Sequence, residues 1–208
     1  KYQVIIIGGG PAGYTAAESA GKAGLSVLLI EKNNLGGVCL NEGCIPTKTL
    51  LHSAKLYDHA LDSAAYGVTA ESVRVDHAAV IARKERVIKT LVGGVCAAMK
   101  ASGVTTVNGR AVITGKDPAG YSVKANGDRY VGKNLIIATG SESVLPPIEG
   151  LRESLNSGFA VTNRELLFSC EAPKRLVVVG GGVIGLEMAS YYQMTGTAVT
   201  VVEMMDHI

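Results

Sequence analysis

The sequence predicts an α/β fold with two successive strand–helix–strand units, the second of them incomplete. In each unit a short, nearly continuous apolar run precedes a glycine-rich turn and a helical stretch, first within residues 2–30 and again within residues 175–203. Such apolar runs are typical of parallel strands that are covered on both faces. Glycine makes up 26 of the 208 residues, which fits a fold with tight turns between strands and helices.

Apolar runs and helical periodicity define the elements of the first unit. A strand leads into a helix that begins at Pro11, a position where the missing N–H is tolerated. A second strand follows, and a stretch rich in Gly and Cys at residues 36–46 then leads into two helices. Apolar side chains at helical spacing support the last of these helices. In chain order, the predicted bounds are 2–7, 11–23, 25–30, 47–62 and 76–102.

Turn signals organise the rest of the chain. Residues 104–131 alternate short β-rich runs with turn signals such as Asn126-Gly127, and so predict a meander of antiparallel strands. A buried strand is expected at residues 134–138, and the Pro- and Gly-containing stretch at 145–150 predicts a linker. The second unit holds only one strand–helix–strand step, about half of a mononucleotide-binding fold, which predicts a piece of a longer protein. The predicted domains are residues 1–146 and 147–208.

Composition narrows the classes of function. The net charge of +2 without a basic cluster predicts no nucleic-acid partner, and no apolar run is long enough to span a bilayer. The chain enters a strand at once, without a leader pattern, so the cytoplasm is the expected compartment, with the mitochondrial matrix as the alternative. Four cysteines are too few for a disulfide-stapled secreted fold. Of these, Cys96 and Cys170 are expected to be ordinary buried or half-buried thiols.

A dinucleotide-binding pattern, G-x-G-x-x-G, occupies residues 8–13 between the first strand and the first helix. Gly8 permits the tight turn, Gly10 lets a pyrophosphate approach the backbone, and Gly13 lets the helix pack closely on the strand. The helix N-terminus presents N–H groups and a partial positive charge to the phosphates. Glu31 ends the next strand, where it can accept hydrogen bonds from ribose hydroxyls.

The same pattern recurs at residues 180–185, again between a strand and a helix. Gly180, Gly182 and Gly185 occupy its three glycine positions, and Glu203 follows Gly180 at the same separation as Glu31 follows Gly8. Two copies with equal spacing argue against ligand-free glycine turns. Two dinucleotides in one protein suggest a flavin and a nicotinamide that exchange hydride.

The residues around Glu203 favour NAD over NADP. A carboxylate there hydrogen-bonds a ribose 2′-OH but repels a 2′-phosphate, which an arginine would normally pair. Met204, Met205 and Asp206 follow, and none of them is a cation.

Two cysteines lie five positions apart, Cys39 and Cys44, in the stretch before a predicted helix. Thiols this close can form a disulfide if the turn between them is distorted, which Gly43 eases. A thiolate at Cys44 is stabilised near a helix N-terminus, and Lys48 adds a positive charge one helical turn later.

Two other interpretations of the cysteine pair remain open at this point. A zinc half-site needs further ligands, and only His52 and His59 are nearby, at spacings unusual for structural zinc. A structural disulfide closes a very short loop and stabilises little. A redox-active pair fits the sequence best.

The Gly-Gly-x-Cys-x-x-x-x-Cys arrangement after a dinucleotide turn resembles the signature of the pyridine nucleotide–disulfide oxidoreductases. Residues 39–48 (CLNEGCIPTK), 180–187 (GGGVIGLE) and 199–203 (VTVVE) are most similar to the dihydrolipoamide dehydrogenase branch of that family. The resemblance covers essentially the whole chain. It implies an FAD-binding Rossmann-like domain that carries the meander, followed by an incomplete NAD-binding Rossmann-like domain.

The resemblance also implies roles for individual residues. Cys44 is the thiol against the flavin and Cys39 is the interchange thiol that reacts with the lipoyl sulfur. Lys48 lies beside the reactive edge of the isoalloxazine and pairs with Glu187, and Ile184 lies near the nicotinamide face. Besides Cys39, Cys44 and Lys48, the implied FAD-binding residues are Gly8, Gly10, Pro11, Ala12, Gly13, Glu31, Lys32, Gly37, Val38, Gly109, Ala111, Ala138, Thr139 and Gly140. The implied NAD-binding residues are Gly180, Gly182, Ile184, Gly185, Glu187 and Glu203.

By resemblance, the expected reaction oxidises dihydrolipoamide carried on a lipoyl domain of a 2-oxo acid dehydrogenase or glycine cleavage complex, with NAD as hydride acceptor and no metal. The parent enzyme is expected to be a homodimer, whose partner subunit supplies a His–Glu acid–base pair that this chain lacks. This chain alone is therefore expected to be inactive. The alternatives are a mercuric or glutathione reductase type and a non-catalytic FAD-binding module.

Overall fold

The computed structural model describes residues 1–208, and the chain forms two compact units. The first unit contains residues 1–44 and 88–142, and the second contains residues 45–87 and 143–208. The second unit thus includes residues 45–87, which fall within the first predicted domain. The predicted domain boundary after residue 146 stays a prediction.

A six-stranded sheet forms the centre of the first unit. Its spatial order is β3-β2-β1-β6-β5-β4. Strands β3, β2, β1 and the end of β6 are parallel, whereas β6, β5 and β4 are antiparallel. The strand bounds are β1 Tyr2–Ile7, β2 Val27–Glu31, β3 Thr105–Asn108, β4 Val112–Asp117, β5 Gly120–Ala125 and β6 Asp128–Ile137. This mixed α/β sheet confirms the predicted fold class.

Two details of the predicted meander are wrong. Strand β3 is not part of it, because it pairs in parallel with β2 at the edge of the sheet. The separate strand expected at 134–138 is the second half of β6, which pairs with β5 at its start and with β1 at its end. At the changeover, Gly132 lies opposite both Tyr121 and Tyr2. A Cβ there would lie 2.6 Å from Cγ1 of Ile5, so glycine lets β6 continue straight past β1.

Both faces of this sheet are covered by apolar side chains. On one face, residues of β1 and β2 pack with Ala17 of α1 (Pro11–Lys22) and Met99 of α4 (His77–Ala101). On the other face, Ile5 and Leu28 pack against Val123 of β5. Full burial of an apolar side chain is worth about 1.5–3 kcal/mol, which explains why the β1 and β2 runs are apolar at almost every position. The parallel pairing of β1 with β2 and with the end of β6 places the carboxyl ends of the three strands at one edge.

The second unit combines helices with a two-stranded parallel sheet. Strands β7 and β8 pair in parallel. The elements that lie in this unit wholly or in part are α3 Cys44–Leu61, a 3-10 helix at Ser63–Tyr66, the start of α4, α5 Leu151–Asn156, α6 Asn163–Phe168, β7 Arg175–Val179, α7 Val183–Met194 and β8 Ala198–Val202. Leu50, Ile81, Leu167, Met188 and Tyr191 are among its buried core residues. None of the helices in the chain combines the length and apolar character that a bilayer crossing requires.

A partly buried polar network ties three segments of the second unit together. The ring of His77 lies with Nε2 3.0 Å from the Ser169 carbonyl oxygen and Nδ1 2.7 Å from the Tyr191 hydroxyl. A carbonyl can only accept, so Nε2–H donates to Ser169 and Nδ1 accepts from Tyr191. Burial lowers the pKa of His77 and keeps the ring neutral in this arrangement, and burial likewise raises the pKa of Tyr191. The buried Lys84 ammonium donates to the Leu167 carbonyl at 2.8 Å.

Candidate functional site

The first glycine turn requires glycine at defined positions. Gly8 has a φ of +104°, in the region that L side chains rarely adopt. A Cβ at Gly13 would lie 1.8 Å from the Gly8 carbonyl oxygen, and a Cβ at Gly8 would lie 2.1 Å from the Ala138 carbonyl oxygen. Helix α1 can therefore lie against the turn, and the turn against the end of β6, only because these positions lack side chains.

The N-terminus of α1 is open to an anion. Gly10 is the N-cap residue, Pro11 begins the helix, and neither a capping side chain nor an acidic residue occupies the first turn. A Cβ at Gly10 would meet only Cα of Gly37, at 3.8 Å, so there is room beside the backbone. Uncapped N–H groups at a helix N-terminus bind phosphate, and the geometry here fits a pyrophosphate. Ala12 is exposed beside them.

Backbone N–H groups hold the Glu31 carboxylate in place at the end of β2. Gly9 N–H donates to Oε2 at 2.6 Å and Asn33 N–H donates to Oε1 at 2.8 Å. Each carboxylate oxygen can accept more than one hydrogen bond. The half-buried Glu31 can therefore bind a ribose hydroxyl while it remains tied to the glycine turn.

Two further predicted segments lie in contact with the turn and with Glu31. Ala138 N–H donates to the Ile7 carbonyl at 2.8 Å, which brings the exposed Thr139 and Gly140 to the edge where β1 ends. Gly109 N–H donates to the Glu31 carbonyl at 2.7 Å. Nearby, Ala111 packs partly into the sheet core, and the exposed Lys32 ammonium lies 3.4 Å from Oε1 of Glu142.

The cysteine-bearing segment is attached directly to the first glycine turn. Gly36 N–H donates to the Gly9 carbonyl at 2.8 Å, and a Cβ at Gly37 would lie 2.6 Å from Cα of Gly10. Residues Gly37–Asn41 form the short helix α2, which was not predicted. Its Val38 side chain is exposed. The two backbones meet glycine to glycine, which places α2 beside the open N-terminus of α1.

Asn41 is a structural residue of the site that the sequence reasoning did not identify. Its Nδ2 donates to the Leu35 carbonyl at 3.2 Å and to the Gly37 carbonyl at 2.9 Å. These two bonds tie the last residue of α2 to backbone carbonyls just before the helix and at its first residue. A signal was present, since an asparagine between two cysteines in a glycine-rich stretch is well suited to bond to nearby backbone groups.

The two cysteines occupy different local environments. Cys39 is partly buried in α2, and Cys44 is exposed as the first residue of α3. Helix α3 therefore begins three residues earlier than predicted. The structure contains no disulfide bond. Cys96 and Cys170 are both exposed, so the expectation that they are buried or half-buried is wrong.

The second glycine turn repeats the geometry of the first. Gly180 also has a φ of +104°, and a Cβ at Gly185 would lie 2.5 Å from the Gly180 carbonyl oxygen. Gly182 is the N-cap of α7, with no capping side chain, no acidic residue in the first turn and no atom within 4 Å of its hypothetical Cβ. This second helix N-terminus is also open to phosphate.

The Glu203 carboxylate is bound by three backbone N–H groups. Oε1 accepts from Met205 at 2.9 Å and Met204 at 2.7 Å, and Oε2 accepts from Gly181 at 2.6 Å. These three hydrogen bonds lower the pKa of Glu203, and the bond from Met205 contributes most. The group is therefore a carboxylate at neutral pH, as hydrogen bonding to a ribose diol requires.

A cleft of about 690 Å³ opens beside the second turn in the second unit. Gly181 and Gly182 line it together with Lys55 of α3 and Glu187 of α7. The exposed Lys48 forms no ion pair with Glu187, so the pairing expected from the resemblance is not formed. Ile184 is exposed near the start of α7. Lys55 is a cleft residue that the sequence reasoning did not single out.

Comparison with known proteins shows which protein family shares these features. The profile of a family described as pyridine nucleotide-disulphide oxidoreductase matches residues 2–208. A dihydrolipoyl dehydrogenase from Acholeplasma laidlawii is 46% identical over 209 residues, which cover 100% of this chain and 61% of that protein. One from Mycoplasma genitalium is 40% identical over 208 residues, which cover 100% of this chain and 45% of that protein.

Solved structures give the same assignment of the fold. The HOCl-induced flavoprotein disulfide reductase RclA from Escherichia coli superposes with a TM-score of 0.77 at 33% identity, over 97% of this chain and 42% of that chain. Its Cu(II) complex gives a TM-score of 0.78 at 32% identity, over 96% of this chain and 41% of that chain. This chain thus spans about half the length of most of these relatives.

Proposed function

Because this chain belongs to the pyridine nucleotide-disulphide oxidoreductase family, we propose that it forms the flavin- and thiol-bearing part of an FAD-dependent dithiol–disulfide oxidoreductase of the dihydrolipoamide dehydrogenase kind. The observation that carries the proposal is the junction between the two motifs. Gly36 and Gly37 lie directly on Gly9 and Gly10, so a thiol segment adjoins an open dinucleotide turn.

The residues present fit FAD. The turn at Gly8, Gly10 and Gly13 and the N-terminus of α1 would hold the pyrophosphate, and Glu31 would bind the adenosine ribose. The Gly109 backbone, tied to the Glu31 carbonyl, would border the adenosine. FAD, when bound, accepts an electron pair from a dithiol and supplies it as hydride to a nicotinamide.

We assign the chemical roles of the thiols by their positions. In the oxidised enzyme Cys39 and Cys44 share a disulfide. A substrate thiolate attacks the Cys39 sulfur and releases the Cys44 thiolate, and the second substrate thiol then resolves the mixed disulfide, so that the substrate is oxidised and the pair becomes a dithiol. Cys44 is the exposed first residue of α3, so its sulfur is accessible when the disulfide opens.

The second turn would hold the pyridine nucleotide. The turn formed by Gly180, Gly182 and Gly185 would hold its pyrophosphate, and the ionised Glu203 would bind its ribose diol. Because a carboxylate repels a 2′-phosphate, we propose NAD as the hydride acceptor. Lys48, Ile184 and Glu187 are proposed to lie at the reacting ring systems.

The names of the relatives support the substrate. We propose dihydrolipoamide on the lipoyl domain of a 2-oxo acid dehydrogenase or glycine cleavage complex as reductant. The homodimer and the cytoplasmic location stay predictions.

Stepwise reduction of the full-length flavoprotein tests the thiol roles. Dithiothreitol should generate a broad absorbance at long wavelength, because a Cys44 thiolate held against an oxidised flavin gives such a band. Cys44→Ser should abolish the band. Cys39→Ser should show the band even without added reductant. Cys96→Ser, which alters an exposed thiol on α4, is the matched control and should behave like the unmodified protein. A full band in Cys44→Ser contradicts the assignment of Cys44 as the thiol against the flavin. No band in the unmodified flavoprotein contradicts the redox role of the pair and favours a non-catalytic flavin-binding module.

A further inference from the structure

A chain of hydrogen bonds joins a hairpin turn to the first glycine turn within the first unit. Asn126 Nδ2 donates to the Asn108 carbonyl at 2.7 Å, and Asn108 Nδ2 donates to the Asn33 carbonyl at 2.7 Å. Asn33 N–H donates to Oε1 of Glu31 at 2.8 Å, and Oε2 of Glu31 accepts from Gly9 N–H. The side chain of Asn126 thus begins a network that ends at the backbone of the glycine turn.

Asn126 has the conformation and the contacts needed to anchor this network. It lies between β5 and β6 with a φ of +53°, and Gly127 follows with a φ of +88°. Asparagine tolerates this left-handed conformation better than most residues, and Asn-Gly is typical of such two-residue hairpin turns. A Cβ at Gly109 would lie 2.3 Å from Oδ1 of Asn126. The amide therefore packs against the Gly109 backbone as well as bonding to Asn108.

We propose that Asn126 is a positioning residue for the adenosine half of FAD, acting through Asn108, Asn33 and Glu31. The proposal rests on the proposed function, since it takes the first turn to be the FAD site. The acid after the second strand of such a fold binds the adenosine ribose. The Asn126 amide sets the place of residues 108–109. Gly109 donates to the Glu31 carbonyl, and Asn108 donates to the carbonyl of Asn33, whose own N–H binds the Glu31 carboxylate.

The position of the network predicts which part of the cofactor depends on it. Its only connection to the glycine turn is Gly9, whereas the cysteine segment and the N-terminus of α1 make none of its bonds. Loss of the Asn126 bond therefore affects the adenosine end. Loss of one intramolecular hydrogen bond corresponds to about a fivefold change in affinity. Binding of FAD and ADP should weaken by this factor, and binding of FMN, which lacks the adenosine, should not.

Two substitutions separate the amide from the turn. Asn126→Asp keeps the size of the side chain and the tolerance for positive φ but replaces the donor with an acceptor, and Asn126→Gly keeps the turn and removes the side chain. Asn134→Asp is the matched control, because Asn134 Nδ2 also donates to a backbone carbonyl of the same sheet, that of Gln3 at 3.1 Å, away from the network. Calorimetric titration of the full-length apoprotein with FAD, ADP and FMN, together with thermal unfolding of each variant, gives the result.

Weaker FAD and ADP binding in both Asn126 variants, with unchanged FMN binding and an unchanged Asn134→Asp control, supports the positioning role. FAD and ADP affinities equal to those of the unmodified protein overturn it. An equal loss of FMN affinity also overturns it, since it shows a general loss of structure. If the unmodified apoprotein binds neither FAD nor ADP, the proposed function itself fails, and the two failures are thus distinguishable.

Discussion

A glycine in this chain is either required by its surroundings or free to change, depending on what its missing side chain would meet. At Gly13 a Cβ would overlap the Gly8 carbonyl oxygen at 1.8 Å, whereas at Gly93, inside α4, it would meet nothing within 4 Å. The first glycine is needed for close packing of helix on turn. The second only adds backbone freedom to the unfolded chain.

Substitution of these two glycines by alanine should therefore change stability in opposite directions. Gly13→Ala should lower the free energy of unfolding by about 3 kcal/mol through overpacking. Gly93→Ala should raise it by about 0.5–1 kcal/mol, since alanine is the better residue in a helix interior. Urea denaturation followed by circular dichroism measures both. A Gly13→Ala variant as stable as the unmodified protein would show that α1 can shift away from the turn at no cost.

Several elements meet at single polar residues, and His77 is the main example. It is the first residue of α4, and its ring bonds both to Ser169, just after α6, and to Tyr191 of α7. The neutral ring donates to one group and accepts from the other. A protonated ring can only donate, so the bond to the Tyr191 hydroxyl would have to reverse, and the proton of the buried Tyr191 would lose its acceptor.

Acidification should consequently destabilise this unit. Burial lowers the pKa of His77 below its ordinary value of 6.5, against the opposing effects of the Ser169 carbonyl and the Asp76 charge. Between the two pKa values the unfolded chain binds more protons, so stability present above pH 6.5 is lost as the pH falls through the lowered value. His77→Gln should flatten this pH dependence of the thermal midpoint, while His59→Gln, at an exposed position of α3, should retain it. If the thermal midpoint of His77→Gln kept the same dependence on pH, His77 would not be the cause of that dependence.

Local signals in the sequence predicted the elements well, but not every pairing between strands. Strand β1 has the predicted bounds, and the long helix α4 differs from its predicted range by one residue at each end. The parallel partner of β3 was missed, because a four-residue strand carries no signal that distinguishes a hairpin neighbour from a distant one. Helix α2 was missed because its stability comes from tertiary contacts, with Gly36 and Gly37 against the first turn and the Asn41 bonds within the segment.

At the scale of the whole molecule, the same arrangement of a glycine turn and a bound acid appears in each of the two compact units. In each, the first glycine has a φ of +104° and donates its N–H at 2.8 Å to the carbonyl of a residue on the neighbouring strand, Ile30 or Val202. In each, the acid accepts from the second glycine at 2.6 Å. The repeated sequence pattern was enough to predict both turns. It could not predict the networks of Asn108 and Asn126, which exist only around the first turn.

Two turns in separate units should be separable by mutation. Gly185→Ala places a Cβ 2.5 Å from the Gly180 carbonyl oxygen, which should distort the second turn and weaken NADH binding by at least about tenfold. The flavin content of the full-length protein and its reduction by dithiothreitol should not change, because Gly185 belongs to the unit that does not contain the first turn. Gly94→Ala, in open space on α4, is the control and should leave both properties intact. Loss of flavin together with NADH binding in Gly185→Ala would mean that the two turns are coupled, and the assignment of one nucleotide to each could not stand on their separate geometry.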